Sequence, residues 1–243
     1  MVIESTGAFR GRNDASGHLQ GGVLKVLLSA PSDNVDVTIV PGVNDAQYDR
    51  ARHHVISMAS CTTNSLAPVA KVLQAQFGIV HLFITTVHAY TASQSILDKP
   101  TRHRRRGRAG ALSMIPTSTG AAQATALVIP ELVGKMDGMA IRVPIPDGSV
   151  TDIVAELQQS TDAQEINACL RDAAQRPPLK GILAVSDDEL VSVDIVGNPH
   201  SAIVDAPSTK VLNGTMAKVL SWYDNEWGYA CRLAEFAPRL VTG

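Results

Sequence analysis

Ala59-Ser60-Cys61-Thr62-Thr63-Asn64 is the stretch on which the reading of this chain turns. One cysteine stands among small hydroxyl residues, directly ahead of a run in which Leu66, Val69, Ala70, Leu73 and Phe77 recur at helical spacing. The spacing predicts a helix opening at Cys61, which puts the sulfur where free backbone N–H groups and the helix dipole favour an anion. A thiolate is the reactive form of cysteine, so the position suits a nucleophile, and the hydroxyls around it suit a phosphate. Pro68, in the second turn, predicts an irregular opening. A lone cysteine is more often an inert buried residue, so the nucleophile needs a second group beside it.

That group is available downstream. Residues 79–86, with Ile79, Val80, Leu82, Phe83 and Ile84, read as a buried strand, and His88 follows at its C-terminal end. Ligands of α/β proteins bind at such ends. A histidine satisfied within the structure is the competing reading.

Around this centre, 2–4, 23–29, 37–40 and 54–60 read as strands of a sheet covered on both faces, because their apolar runs do not alternate. A short helix interrupted by glycines is expected over 14–22. Beyond Cys61, strands are expected at 138–143, 150–158, 190–195 and 217–223. Helices are expected at 163–175, with Ile166, Leu170 and Ala173 on one face, and at 226–237. There is no internal repeat or low-complexity segment.

The 243 residues carry 21 basic and 23 acidic side chains, a net charge of −2 that offers no bulk attraction to nucleic acid or membrane. Three cysteines, Cys61, Cys169 and Cys231, do not form a disulfide framework. No apolar run reaches transmembrane length and no secretory leader is visible, so the cytoplasm is the default expectation. No metal site is expected. Arg102-His103-Arg104-Arg105-Arg106-Gly107-Arg108 reads as a nucleic-acid patch, a solvated loop or an anion-holding loop. The lack of interleaved aromatics and of any overall basic excess disfavours nucleic acid.

Five motifs appear in order: Ser60 to Asn64, the strand end at His88, Ser118-Thr119-Gly120-Ala121-Ala122, Arg142-Val143-Pro144, and Trp222-Tyr223-Asp224-Asn225-Glu226-Trp227-Gly228-Tyr229. Together they resemble the phosphorylating glyceraldehyde-3-phosphate dehydrogenases, over nearly the whole chain. The resemblance implies an α/β fold. Residues 1–60 would be the remnant of a Rossmann-type parallel sheet that binds NAD. Residues 61–225 would form an α+β catalytic and oligomerisation domain with a large, mostly antiparallel sheet, and 226–243 a helix returning to the first domain. The family's Gly-rich turn for the dinucleotide pyrophosphate is not in the sequence, and no G-x-G-x-x-G occurs. By the resemblance, roughly 80 to 90 residues, the first mononucleotide-binding half, are expected to be missing. A fragment, a mis-called start and a truncated paralogue are the three ways this could arise. Weak or no NAD binding by the chain alone is expected.

The resemblance also assigns roles. Cys61 would attack the aldehyde of glyceraldehyde 3-phosphate and His88 would act as base while hydride leaves, with each group activating the other. Inorganic phosphate would then release 1,3-bisphosphoglycerate from a thioester. Thr91 and Arg142 match the sugar-phosphate site. Ser60, Thr62, Thr119 and Gly120 match the site of the attacking phosphate, and Arg106 lies between the two, with Arg105 its nearest competitor. Thr119-Gly120 could equally cap a helix over 121–127. Asn225 matches the residue that holds the nicotinamide carboxamide and Tyr229 the ring beside it. Thr6, Gly7, Ser29 and Ala30 match loops lining the cofactor cleft, while Trp222 and Trp227 read as core. The arginine loop would lie at a subunit interface, close to the neighbouring subunit's cofactor, in a homotetramer. Lys99 stands where members using NAD tend to carry leucine, which leaves NADP open. Two alternatives remain: an erythrose-4-phosphate dehydrogenase, and a non-catalytic paralogue acting as an interaction or redox-sensing subunit.

Overall fold

The computed structural model describes residues 1–241 and contains two sheets. The first is parallel, with β1 (Val2–Glu4), β2 (Val26–Leu28), β3 (Val37–Thr38) and β4 (Val55–Ser57) in the order β1-β2-β4-β3. Its strands are shorter than their apolar runs; the central β2 and β4 are covered on both faces, which explains their lack of alternation, while Ile3 of the edge strand β1 is exposed. Ala15, Val26, Leu28 and Val55 pack on one side. On the other, Leu27, Ile39, Ile56 and Met58 pack with Phe236, Ala237 and Leu240 from the C-terminal end of the chain. The helix expected over 14–22 is one turn, α1 (Arg12–Ala15), followed by a 3-10 turn to His18.

The second sheet has seven strands in the order β6-β7-β5-β8-β11-β10-β9. They are β5 (Ile79–Ala89), β6 (Ile115–Ser118), β7 (Met136–Val143), β8 (Ser149–Leu157), β9 (Leu183–Ser186), β10 (Ala202–Leu212) and β11 (Met216–Tyr223). Four of the six pairings are antiparallel; β5 with β7 and β9 with β10 are parallel. Against this sheet lie α2 (Cys61–Phe77), α3 (Ala121–Val128) and α4 (Ala163–Gln175). Leu66, Val69 and Leu73 of α2 meet Leu82, Ile84, Ile153 and Val219 from the strands and Ile166 and Leu170 from α4 in one core. The short α5 (Ser192–Ile195) lies between β9 and β10, and α6 (Trp227–Phe236) follows β11.

Several expectations are corrected. The opening of α2 is regular: Ser60 caps it by accepting from the Thr63 amide at 3.1 Å, and the helix continues through Pro68. Residues 190–195, expected as a strand, contain the helical turn α5. The Asp194 carboxylate accepts from the Val191 amide at 2.8 Å, and Val191 and Val193 stay exposed, so no buried face rewards extension. Three strands went unforeseen. In β10 the register shifts between Asp205 and Lys210, and Pro207 in that bulge reads as a turn. The edge strand β6 carries Pro116, and β9 is only four residues long. Trp227, expected in the core, is 54% exposed at the start of α6.

Candidate functional site

At one end of the seven-stranded sheet the last residues of β5, β7 and β11 meet the first of β8, and the N-terminus of α2 points into the same place. Register explains the grouping. His88 pairs with Arg142 across β5 and β7, and Tyr223 pairs with Ser149 across β11 and β8. β4 leads into α2 through Ala59, whose φ of 54° is a left-handed conformation a non-glycine residue rarely adopts. Strain of this kind is held by the surrounding packing, and it sets the angle at which Ser60 and Cys61 enter the helix.

The Cys61 sulfur lies 3.5 Å from His88 Nε2. His88 Nδ1 is 2.8 Å from the Ala89 carbonyl; in the tautomer that carries its proton on Nδ1, Nε2 is an acceptor facing the thiol. Arg142 Nη1 lies beside the same Nδ1 and donates to Ala89 O at 3.1 Å. Burial works against the activated thiol that a helix N-terminus alone would favour. It pushes the Cys61 thiol up to about 11, against hydrogen bonds from Thr62 and the charge of Arg142. Burial, helped by Arg142, pushes the His88 imidazole down to about 4. A neutral imidazole therefore stands next to a protonated thiol.

One residue that sequence reasoning left without a role ties this pair together. Tyr223 is buried, and its hydroxyl bonds to Thr62 Oγ1 at 2.9 Å and to Thr86 Oγ1 at 2.8 Å. It thus joins the first turn of α2 to the end of β5, and its ring meets His88 edge-on, with centroids 6.0 Å apart. Ser149, also unforeseen, accepts from the Ala89 amide at 3.1 Å and donates to Asn225 Oδ1 at 2.6 Å. Tyr223 lies inside a quoted motif, but nothing in the sequence tells how deep it sits; Ser149 carries no signal at all.

The other expected residues divide into those the structure gathers and those it places further out. Arg142 is half-buried, and its Nε has no partner, which leaves a donor free for an anion. Burial, with the Arg106 charge as a lesser cause, lowers its pKa. Arg106 sits in a 3-10 turn (Arg104–Gly107) and donates from Nε to Thr117 Oγ1 at 3.0 Å, on the strand next to Arg142's own. Ser60 is engaged as a helix cap, and the Thr62 hydroxyl is turned inward to Tyr223. Thr119 Oγ1 accepts from the Ala121 amide at 3.2 Å as α3 begins, and Gly120 is its N-cap residue. Gly120 shares a cavity of about 300 Å³ with Ala59, Pro31 and Asp33. Thr91 Oγ1 bonds to Ser93 Oγ at 2.8 Å, just past the end of β5.

Among the cofactor candidates, the Asn225 carboxamide is fixed from both sides, by Ser149 and by Glu226. Tyr229 reaches the Ala59 carbonyl with its hydroxyl at 3.1 Å, and burial with the nearby Cys61 raises its pKa. Ala30 O accepts from Ser57 Oγ at 2.7 Å, tying the loop after β2 to the end of β4 and so to the approach to Cys61; Ser29 precedes it in that loop. Thr6 and Gly7 lie exposed after β1, where Thr6 donates to Glu4 and is the outermost of the set. No helix among the described residues is long and apolar enough to cross a membrane.

Comparison with known proteins places this geometry in context. The family described as "Glyceraldehyde 3-phosphate dehydrogenase, C-terminal domain" matches residues 60–225. The glyceraldehyde-3-phosphate dehydrogenase of Geobacillus stearothermophilus is 57% identical over 242 residues, which is 100% of this chain and 72% of that protein. That of Streptomyces coelicolor is 56% identical over 235 residues, 97% of this chain and 70% of that protein. Glyceraldehyde-3-phosphate dehydrogenase 1 of Bacillus subtilis is 55% identical over 241 residues, 99% of this chain and 72% of that protein.

Proposed function

The chain belongs to the glyceraldehyde-3-phosphate dehydrogenase family, and from that premise we propose that it carries out the phosphorylating oxidation of glyceraldehyde 3-phosphate through a thioester on Cys61. The observation that carries the reading is the Cys61–His88 contact of 3.5 Å, set between Arg142 and the N-terminus of α2.

Cys61 Sγ adds to the aldehyde carbon as its proton passes to His88 Nε2 and on to the carbonyl oxygen, giving a hemithioacetal and returning the imidazole to its neutral form. His88 then takes the hydroxyl proton as hydride departs, and a carbon–oxygen double bond forms at the thioester. Backbone N–H groups at the start of α2 would stabilise the oxygen where negative charge develops. Inorganic phosphate attacks the thioester carbon, the C–S bond breaks, and 1,3-bisphosphoglycerate leaves with the sulfur regenerated. Arg142, with its unpartnered Nε, and Thr91 are assigned to the sugar phosphate. Ser60, Thr62, Thr119 and Gly120 are assigned to the attacking phosphate, with Arg106 shared between the two. Arginine forks and hydroxyls make charge-assisted bonds to such oxygens.

A nicotinamide dinucleotide, when bound, supplies the hydride acceptor. The residues here suit its nicotinamide end. Asn225 presents an oriented carboxamide, Tyr229 stands beside Cys61, and the loops with Thr6, Gly7, Ser29 and Ala30 follow the C-terminal ends of parallel strands. NAD is the cofactor we assign, with NADP as the variant that Lys99 favours. The exposed Ile96, Leu97, Leu112 and Met114 around the arginine loop support assembly with further copies, as a homotetramer.

The test is NAD reduction with glyceraldehyde 3-phosphate, with and without inorganic phosphate, by the protein joined to the part of the Geobacillus stearothermophilus relative that it does not match. We expect turnover that needs phosphate and that falls by at least about a thousand-fold in Cys61→Ser. A Cys61→Ser protein as active as the parent ends this reading. Turnover indifferent to phosphate and faster with erythrose 4-phosphate replaces it.

A further inference from the structure

Ser149 is the first residue of β8, and the turn before it fixes its place. Gly148 has a φ of 82°, and a Cβ built there would sit 2.4 Å from the Ser192 carbonyl oxygen, so only glycine lets the chain lie this close to α5. The Ser149 side chain is buried against the end of β5. The pairing of β5 with β8 stops at Val87 and Val150, and beyond it the Ala89 amide donates to Ser149 Oγ at 3.1 Å. The Ala89 carbonyl lies 2.8 Å from His88 Nδ1 and accepts from Arg142 Nη1 at 3.1 Å. Ala89 thus faces the base with its carbonyl and Ser149 with its amide.

From that amide the hydrogen bonds run in one direction. A backbone N–H can only donate, so the Ser149 oxygen accepts from Ala89 and its own proton goes on to Asn225 Oδ1, at 2.6 Å. The Asn225 carboxamide is thereby held in one of the two orientations open to it, with Oδ1 towards Ser149 and Nδ2 donating to Glu226 Oε1 at 3.2 Å. One N–H of Nδ2 is used there and the other remains, so Asn225 offers a ligand a donor and not an acceptor.

We propose that Ser149 is a positioning residue for hydride transfer: it holds Asn225 with an N–H outward, so that the site selects the oxygen of the nicotinamide carboxamide and with it one setting of the ring. The proposal rests on the dehydrogenase reading, in which Asn225 meets the nicotinamide. Without the Ser149 hydroxyl, Asn225 is free to turn over and offer either end. It then no longer selects one setting, and the alignment of the reacting atoms is lost in a share of the complexes. A Ser149 that did no more than satisfy the buried Ala89 amide would have no such effect on selectivity.

The test is calorimetric titration of the protein joined to the unmatched part of the Geobacillus stearothermophilus relative, with three dinucleotides. They are NAD, its 3-acetylpyridine analogue, which keeps the carbonyl oxygen and lacks the amide nitrogen, and its thionicotinamide analogue, in which sulfur, a weak acceptor, replaces that oxygen. For the parent we expect NAD and the acetylpyridine analogue to bind within about threefold of each other, and the thionicotinamide analogue about fivefold or more weaker. In Ser149→Ala that penalty should shrink to about twofold or less. There kcat with NAD should fall about tenfold or more while KM for glyceraldehyde 3-phosphate stays near its parent value. Iodoacetamide alkylation of Cys61 without any dinucleotide should keep its parent rate, because the Ala89 carbonyl still holds His88. Ser149→Cys, similar in size and a weaker donor, should change in the same direction and serves if Ser149→Ala misfolds. The proposal is overturned if the folded variants weaken all three dinucleotides by one factor, or if alkylation slows along with kcat. A joined parent that does not discriminate among the three, or binds none of them, equally overturns it. A joined parent with the expected affinities that fails to reduce NAD overturns the dehydrogenase reading, while the affinities still support Ser149 as the residue that orients Asn225.

Discussion

At Cys61 two physical effects oppose each other. The start of α2 offers free N–H groups to a sulfur anion, while burial pushes the thiol up to about 11. On the dehydrogenase reading His88 Nε2, at 3.5 Å, is the group that receives the thiol proton, although burial lowers the imidazole to about 4 and so opposes the transfer. In His88→Asn that acceptor is gone and only the burial effect remains. Iodoacetamide alkylation of Cys61 near neutral pH should then slow by about tenfold or more. Its rate should keep climbing as the solution is made alkaline towards 11, where the buried thiol finally ionises. Equal alkylation rates for parent and variant near neutrality would show that His88 does not receive the proton. Both residues were legible in the sequence because a helix start and a strand end are local features. Tyr223 was not, since its role depends on Thr62 and Thr86, distant in sequence and brought to its hydroxyl only by folding.

Among the elements, the parallel pair β5 and β7 aligns the site, because its register places Arg142 beside His88. Four positions down that ladder Ile84 pairs with Gly138. A Cβ built on Gly138 would sit 2.2 Å from Ile84 Cγ1 and 2.6 Å from the Ile84 carbonyl oxygen. The side-chain atom can rotate away, but the backbone oxygen cannot. Gly138→Ala is therefore expected to destabilise the protein by about 1 to 3 kcal/mol, read as a lower urea midpoint. Activity should fall as well, since strand separation disturbs the alignment of Arg142 and His88. An unchanged midpoint would show that β7 can shift without loss. Helices with a clear cap and period, such as α4 with Asp162 accepting from the Glu165 amide, were legible to their ends. β10 was not, because its bulge places Pro207 in mid-strand and imitates a turn.

On the scale of the whole molecule, the two sheets have separate cores joined at the site. Phe236 illustrates the division: it follows the large sheet in sequence but packs with Leu27, Ile39, Ile56 and Met58 of the small one. Phe236→Ala should cost about 3 to 5 kcal/mol. It should speed amide hydrogen exchange in Val26–Leu28 and Val55–Ser57 while leaving exchange in Ile79–Ala89 near its parent rate. Equal acceleration in both would mean that the chain opens as one unit. Such a division has a functional use, because the loops assigned to the cofactor sit on the small sheet and the reacting groups on α2 and the large one.

The sequence by itself determined the helix at Cys61, the strand that ends near His88, the α/β class and the family. Each of these rests on short-range patterns: a cap, a period of 3.6, an unbroken apolar run, or an ordered set of motifs. Tertiary structure alone decided that Arg142 stands against His88, that Tyr223 braces the pair from below, and that the Thr62 hydroxyl turns inward. It also decided that Arg106 reaches Thr117 while Arg102, Arg104 and Arg105 stay exposed. These depend on strand register and on packing between residues far apart in the chain, where burial sets which charges are tolerated and which groups keep a free donor.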